Sequence, residues 1–179
     1  MDQNEFAKKV QELEARLEKL EKNGSQMTMV LFNGDFDTVM ATFIIATGAL
    51  SMGKSVSIFV TFWGLDAIKK PSFSTAGRSF LEKMILWMRP KGPMKLGTSK
   101  MNFAGIGPKL FRYMMGKKNV EPLPSLIEMA QEMGVKIVAC QMTMDVMGIK
   151  KEDLLDGIEV GGVAAFLSDS FSSNTTLFI

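Results

Sequence analysis

The stretch Val135-Lys136-Ile137-Val138-Ala139-Cys140-Gln141-Met142-Thr143-Met144-Asp145-Val146-Met147-Gly148 decides how this chain folds. Its first part is a short β-rich run, and from Met142 the spacing turns helical and stops at Gly148. Cys140 is therefore expected at the carboxyl end of a strand, where the amides of the following helix can stabilise a thiolate. It is also the chain's single cysteine.

Working outward, the same alternation repeats. Met27 to Phe32 reads as a buried strand, Asn33-Gly34-Asp35-Phe36-Asp37 as a turn, and residues 38 to 52 as an apolar helix ended by Gly53. Val56 to Val60 is a second strand leading into Thr61-Phe62-Trp63-Gly64. Later, Pro124 to Met133 is a helix, Ile158 to Val160 a short edge strand, Gly162 to Ser170 a helix and Thr175 to Ile179 a terminal strand. Strands separated by helices predict βαβ units and a mainly parallel sheet of about five strands, with helices on both faces. The working crevice then lies beyond the carboxyl ends of the strands, where the loops Asn33 to Asp37, Thr61 to Gly64 and Cys140 to Thr143 converge.

Ahead of this domain, residues 2 to 22 place Phe6, Val10, Leu13, Leu17 and Leu20 at alternating steps of four and three. That is a coiled-coil seam, stopped by Asn23-Gly24, and a helix so short is expected to pair with another copy or dock on the body. The domain organisation expected is residues 1–24 as an amphipathic helix and 27–179 as the α/β domain. An insertion at about residues 69–118 interrupts the latter.

Composition excludes several chemistries. The chain has 179 residues, enough for one α/β core. It contains no histidine, so Cys-His, Ser-His and imidazole-metal sites are ruled out. One cysteine excludes an intrachain disulfide and a Cys-rich zinc site. Together with a charged, helical start it predicts a cytoplasmic location. No G-x-G-x-x-G or P-loop is present, so no nucleotide cofactor is expected, and no other cofactor is called for.

The insertion is basic. It holds twelve Lys and Arg residues against one acid, Glu82, a net +11 inside a chain of net +2. It also carries Phe73, Phe80, Trp87, Phe103, Phe111 and Tyr113, broken by Pro71, Pro90, Pro93 and Pro108. It reads as a partly helical flap near the crevice. Such a flap suits an anionic membrane surface, as a peripheral contact, or an acidic partner protein. Nucleic acid is the third reading of a basic, aromatic stretch and the one set aside. No apolar run reaches the length of about 20 residues that spans a bilayer.

Each candidate has a plainer alternative. Cys140 is either an exposed, ionised thiol or a buried small hydrophobe. Gln141 and Thr143 are potential donors to its sulfur, and Asp145 is a helix-start carboxylate rather than a base. The loop Asn33-Gly34-Asp35-Phe36-Asp37 could bind a ligand, but capping of the next helix by Asp35 or Asp37 is preferred, and two carboxylates without histidine make no metal site. Gly161-Gly162 more simply permits close packing of helix on sheet than anion binding. The sixteen methionines are read as adaptable core filler.

Ala139-Cys140-Gln141-Met142-Thr143-Met144-Asp145-Val146-Met147-Gly148, Glu159-Val160-Gly161-Gly162-Val163-Ala164 and Thr61-Phe62-Trp63-Gly64-Leu65 resemble, in that order, the DsrE/DsrF-like family, in its branch with a long Met- and Lys-rich insertion. The resemblance spans residues 27 to 179. It implies a three-layer α/β/α sandwich and a sulfurtransferase role in cytoplasmic sulfur relay. It also implies a persulfide on Cys140, exchanged with TusA-like sulfur carriers or rhodaneses. Trimers or hexamers and membrane attachment are implied as well. Gln141, Met142, Thr143, Asn33, Gly34, Asp35, Thr61, Trp63 and Gly64 are the residues expected to line the site. Some members have a second cysteine; this chain has none, which leaves no resolving thiol. A non-catalytic oligomeric adapter, binding a membrane or partner through the flap, is the competing class.

Overall fold

The computed structural model describes residues 3–23, 26–72 and 74–179. Five strands form the sheet: β1 (Gln26–Leu31), β2 (Ser55–Val60), β3 (Lys136–Cys140), β4 (Glu159–Gly161) and β5 (Thr175–Phe178). Their order is β4-β3-β2-β1-β5 and every pairing is parallel. Among the described residues seven α-helices accompany them: α1 (Gln3–Asn23), α2 (Phe36–Ser51), α3 (Phe80–Met88), α4 (Ile106–Lys117), α5 (Leu123–Glu132), α6 (Gln141–Met147) and α7 (Val163–Phe171). The three-layer α/β/α architecture follows from where these helices lie.

Alternation along the strands sends successive side chains to opposite faces. Met29, Leu31, Val56, Ile58, Val60, Ile137 and Ala139 pack under α2 and α5, meeting Phe36, Val39, Phe43, Leu126, Ile127 and Ala130 in the main core. The other face is thinner. Val30, Phe59, Val138 and Cys140 form a small cluster closed by Phe166 of α7. Polar pins hold α7 there. Asp169 accepts from the Ser57 hydroxyl at 2.7 Å and from the Lys136 ammonium at 3.0 Å, and the hydroxyls of Thr28 and Ser173 meet at 2.6 Å. Gly161 lets α7 come close, since a Cβ there would lie 2.9 Å from Val138 and 3.2 Å from Ala165. The close-packing reading thus holds for Gly161, while a Cβ on Gly162 would meet nothing within 4 Å.

Most element bounds fall within one or two residues of the sequence expectation; α2 starts earlier, at Phe36. Asp35 makes no side-chain cap bond, and Asp37 instead accepts the Ser99 amide at 2.8 Å and the Ser99 hydroxyl. A distant loop won the carboxylate because the insertion folds back over this helix end, where Phe36 also donates to the Gly97 carbonyl at 2.7 Å.

The insertion is partly helical, as expected, but it is anchored rather than detached. Leu86 and Leu96 belong to the main core, and α3 packs on α6. Several of its cations are spent internally. Lys69, 0% exposed, pairs with Asp66 at 2.6 Å; Arg78 pairs with buried Asp153; Arg89 pairs with Asp66 at 2.7 Å; Lys70 meets Asp156 at 3.0 Å. The Arg112 guanidinium lies 4.6 Å over Phe36. The core-filler reading of methionine holds for Met29, Met40, Met144 and Met147. It fails for Met84, Met88, Met94, Met101 and Met114, which the insertion exposes. Phe73 lies outside the described residues.

On α1, Val10, Leu13 and Leu17 are exposed, so part of the expected seam is free of cover. The side chains of Phe6 and Leu20, and Gly24, lie outside what the structure describes. Among the described residues no helix is long and apolar enough to cross a membrane.

Candidate functional site

Register places Cys140 at the sheet's carboxyl edge, on β3, one strand in from the β4 edge. Val60 pairs with Ala139 and Cys140 with Gly161, so Thr61, the residue after β2, flanks the cysteine on one side and β4 flanks it on the other. Cys140 ends β3 and is itself the residue from which α6 starts. Its sulfur points to the α7 face, among Val30, Phe59, Val138 and Phe166, and the residue is 5% exposed.

Burial alone would raise this thiol. Hydrogen bonds to the sulfur oppose it, from the Thr143 and Met142 amides and from whichever of the Thr143 and Thr61 hydroxyls does not donate to the other, and they leave the pKa below the ordinary thiol value. The threonines are linked to each other, with Thr61 Oγ1 and Thr143 Oγ1 2.9 Å apart. The Phe62 amide donates to Thr143 Oγ1 at 3.5 Å. With one hydroxyl proton shared between the two oxygens, the other is left to point at sulfur. The pair therefore favours the anion over the neutral thiol.

The loop after β2 is shaped by close backbone approach. A Cβ on Gly64 would stand 2.4 Å from the Leu31 carbonyl oxygen, and one on Gly34 would stand 2.3 Å from that of Trp63. Only glycine fits at either position. Phe62 has φ 45°, a left-handed conformation costly for an aromatic residue, and its ring rests 5.1 Å from Phe32. Trp63 is half exposed and carries the Arg89 guanidinium 4.7 Å over its ring.

The expected site residues thus divide. Cys140, Thr143, Met142 and Thr61 converge on the sulfur. Gln141 does not: its side-chain amide donates to Asp145 Oδ1 at 2.7 Å, an i,i+4 pair on the exposed side of α6. Trp63 and Gly64 shape the neighbouring turn. Asn33, Gly34 and Asp35 lie at the end of β1, two strands from the cysteine, where Asn33 Oδ1 accepts the Asp35 amide at 3.0 Å and Gly34 abuts Trp63.

Sequence reasoning did not find the buried charges beneath this turn. Asp66 takes Lys69 and Arg89 together, and Asp153 takes Arg78 and the Lys150 amide. Burial is the main cause that lowers the Lys69 pKa, with Asp66 pulling the other way. The one available signal was Asp66 and Lys69, three residues apart beside the apolar Leu65, Ala67 and Ile68.

A model described as the DsrE/DsrF/DrsH-like family matches residues 23–178. The chain belongs to that family. Among DsrE-like relatives, YrkE of Bacillus subtilis (strain 168) is 53% identical over 152 residues, covering 85% of this chain and 95% of that protein. The sulfur carrier protein DsrE2 of Allochromatium vinosum is 31% identical over 163 residues, covering 86% of this chain and 98% of the relative. The crystal structure of YchN from E. coli aligns with a TM-score of 0.50 at 12% identity. It covers 86% of this chain and 99% of YchN, a likeness of fold.

Proposed function

We propose that this DsrE-like protein is a sulfur-relay protein that carries sulfane sulfur as a persulfide on Cys140. The observation that supports it most is the set of donors around one sulfur: the Thr61–Thr143 hydroxyl pair, with one proton left for the sulfur, and the Thr143 and Met142 amides, which favour the thiolate in a chain with no histidine. A relative over most of the chain's length is named a sulfur carrier, in keeping with this reading.

The chemistry needs little else. The Cys140 thiolate attacks the outer sulfur of a donor persulfide; the new S–S bond forms as the old one breaks, and the electron pair leaves on the donor thiolate. The terminal sulfur of the Cys140 persulfide is then attacked by an acceptor thiolate, and Cys140 departs as the anion its donors stabilise. No net oxidation occurs and no base is required. TusA-like carriers and rhodaneses are the donors and acceptors proposed, in the cytoplasm. Because Cys140 is 5% exposed, exchange requires local opening at the first turn of α6, where Met142 is exposed.

The reading is tested by incubating the chain with persulfide-loaded rhodanese and measuring intact mass. A gain of one sulfur atom is expected, absent in Cys140→Ser. No gain, or an equal gain in the variant, sinks it.

Assembly into a homo-oligomer is proposed through the thinly covered face, where β5 is an edge strand and Phe171 and Phe178 are 82% and 74% exposed. A second role, peripheral attachment to an anionic membrane, is favoured by the insertion's outer side. There Phe80, Trp87, Met88, Phe103 and Ile106 are exposed beside Lys83, Lys91, Lys95, Lys100 and Lys109.

A further inference from the structure

Arg89 is where the insertion meets the turn beside the thiol. It directly follows α3, and its side chain is 8% exposed. Nε and Nη2 fork onto Asp66 Oδ2 at 3.0 and 2.7 Å, the guanidinium plane lies 4.7 Å over Trp63, and Nη2 reaches the Phe62 carbonyl at 3.5 Å. These three partners sit on one short helical turn, Phe62–Ile68, while Nη1 also meets Met147 Sδ of α6.

That turn contains a residue that needs holding. A phenylalanine at φ 45° is strained and persists only where its surroundings over-determine it. Phe32 supports its ring, and Arg89 supports its carbonyl and both following contacts. The same residue donates its amide to Thr143 Oγ1, and the residue before it supplies the Thr61 hydroxyl 2.9 Å from that oxygen. The turn that Arg89 holds therefore carries two of the groups that meet Thr143 Oγ1.

We propose that Arg89 is a positioning residue: it locks the Thr61–Phe62 turn so that the Thr61 and Thr143 hydroxyls stay directed at Cys140. This rests on Cys140 being the working thiol, but it concerns the thiol's acidity and not its cargo. A planar fork is needed, because a lysine ammonium can hold Asp66 but cannot also stack on Trp63 and reach the Phe62 carbonyl. The charged groups around the turn are Arg89, Asp66 and Lys69, with Asp145 on α6 bound to Gln141. An effect of Arg89 through its field alone survives replacement by lysine; an effect through geometry does not.

The test is the pH profile of Cys140 alkylation by iodoacetamide on the full chain, native, Arg89→Lys and Arg89→Met, with thermal melts alongside. Both variants are expected to move the midpoint upward, slowing alkylation at neutral pH by roughly three- to tenfold while the plateau rate at high pH is unchanged. A midpoint that stays in place overturns the proposal, as does an Arg89→Lys profile that superimposes on the native one. A raised plateau with an unmoved midpoint has the same consequence, since that is the signature of a merely structural strut. Should Arg89→Met not fold, Arg89→Lys, which keeps a cation beside Asp66, decides alone. If the midpoint moves but Cys140 takes up no sulfur, the relay reading falls and this one stands.

Discussion

The hydroxyl oxygens of Thr61 and Thr143 lie 2.9 Å apart, joining the end of β2 to the first turn of α6 beside the sulfur of Cys140. The pair is buried, and the hydroxyl proton not spent between the two oxygens is left for the sulfur. In a chain without histidine this contact favours the thiolate, though without taking its proton.

Thr143→Val keeps the shape and removes that donor. The Cys140 thiol is expected to titrate higher, with alkylation at neutral pH slowed about tenfold for each unit its pKa rises. The variant also leaves Thr61 short of a buried partner, at a cost of about 1–2 kcal/mol in denaturant unfolding. An unchanged alkylation profile contradicts the role given to Thr143.

The same donors make stability depend on pH. A thiol whose folded pKa is lowered contributes stability that is complete above the unfolded value, about 8.5, and is lost as pH falls through the folded value. The native chain should therefore gain on Cys140→Ser as pH rises from neutral toward about 9. Denaturant unfolding of both chains at several pH values checks this. A gap that shrinks over that range contradicts the lowered pKa.

Arg78 and Asp153 form an ion pair with both side chains almost wholly out of solvent. Asp153→Ala leaves a buried guanidinium short of its counter-charge and is expected to cost roughly 3 kcal/mol or more, well beyond an exposed pair. Lys70 and Asp156, far more exposed, supply the comparison: Asp156→Ala should change unfolding little. Equal effects from the two variants contradict the reading of the insertion as ionically anchored.

The chain has two tryptophans, and Trp87 is 80% exposed on the outer side of α3. In a Trp63→Phe background its emission should shift to the blue on adding anionic vesicles and not neutral ones, and the shift should fade with salt. No shift at low salt removes the membrane reading.

The alternation of strand and helix was legible because β-branched runs, glycine stops and helical spacing agree along residues 27 to 60 and 124 to 179. The family motifs carried Cys140 and Thr143 with it. Less legible was anything set by contacts between distant residues. Lys69, Arg78 and Arg89 looked like free charge because their acids, Asp66 and Asp153, stand outside or at the border of the insertion. Asp37 looked like a helix cap because Ser99 lies 62 positions away. Gln141 looked like a donor to sulfur because its distance from Cys140 was visible and its pairing with Asp145 was not. Nor does spacing reveal that the thiol lies on the thin face under α7, since alternation fixes only that Cys140 and Ala139 part company.

Acidity and access of one sulfur are the centre of this account, and native-state modification measures both at once. Iodoacetamide at varied pH, without denaturant, should modify Cys140 completely, with a midpoint below the ordinary thiol value of about 8.5. A cysteine that stays unmodified until the chain unfolds, or that titrates at or above that value, contradicts it.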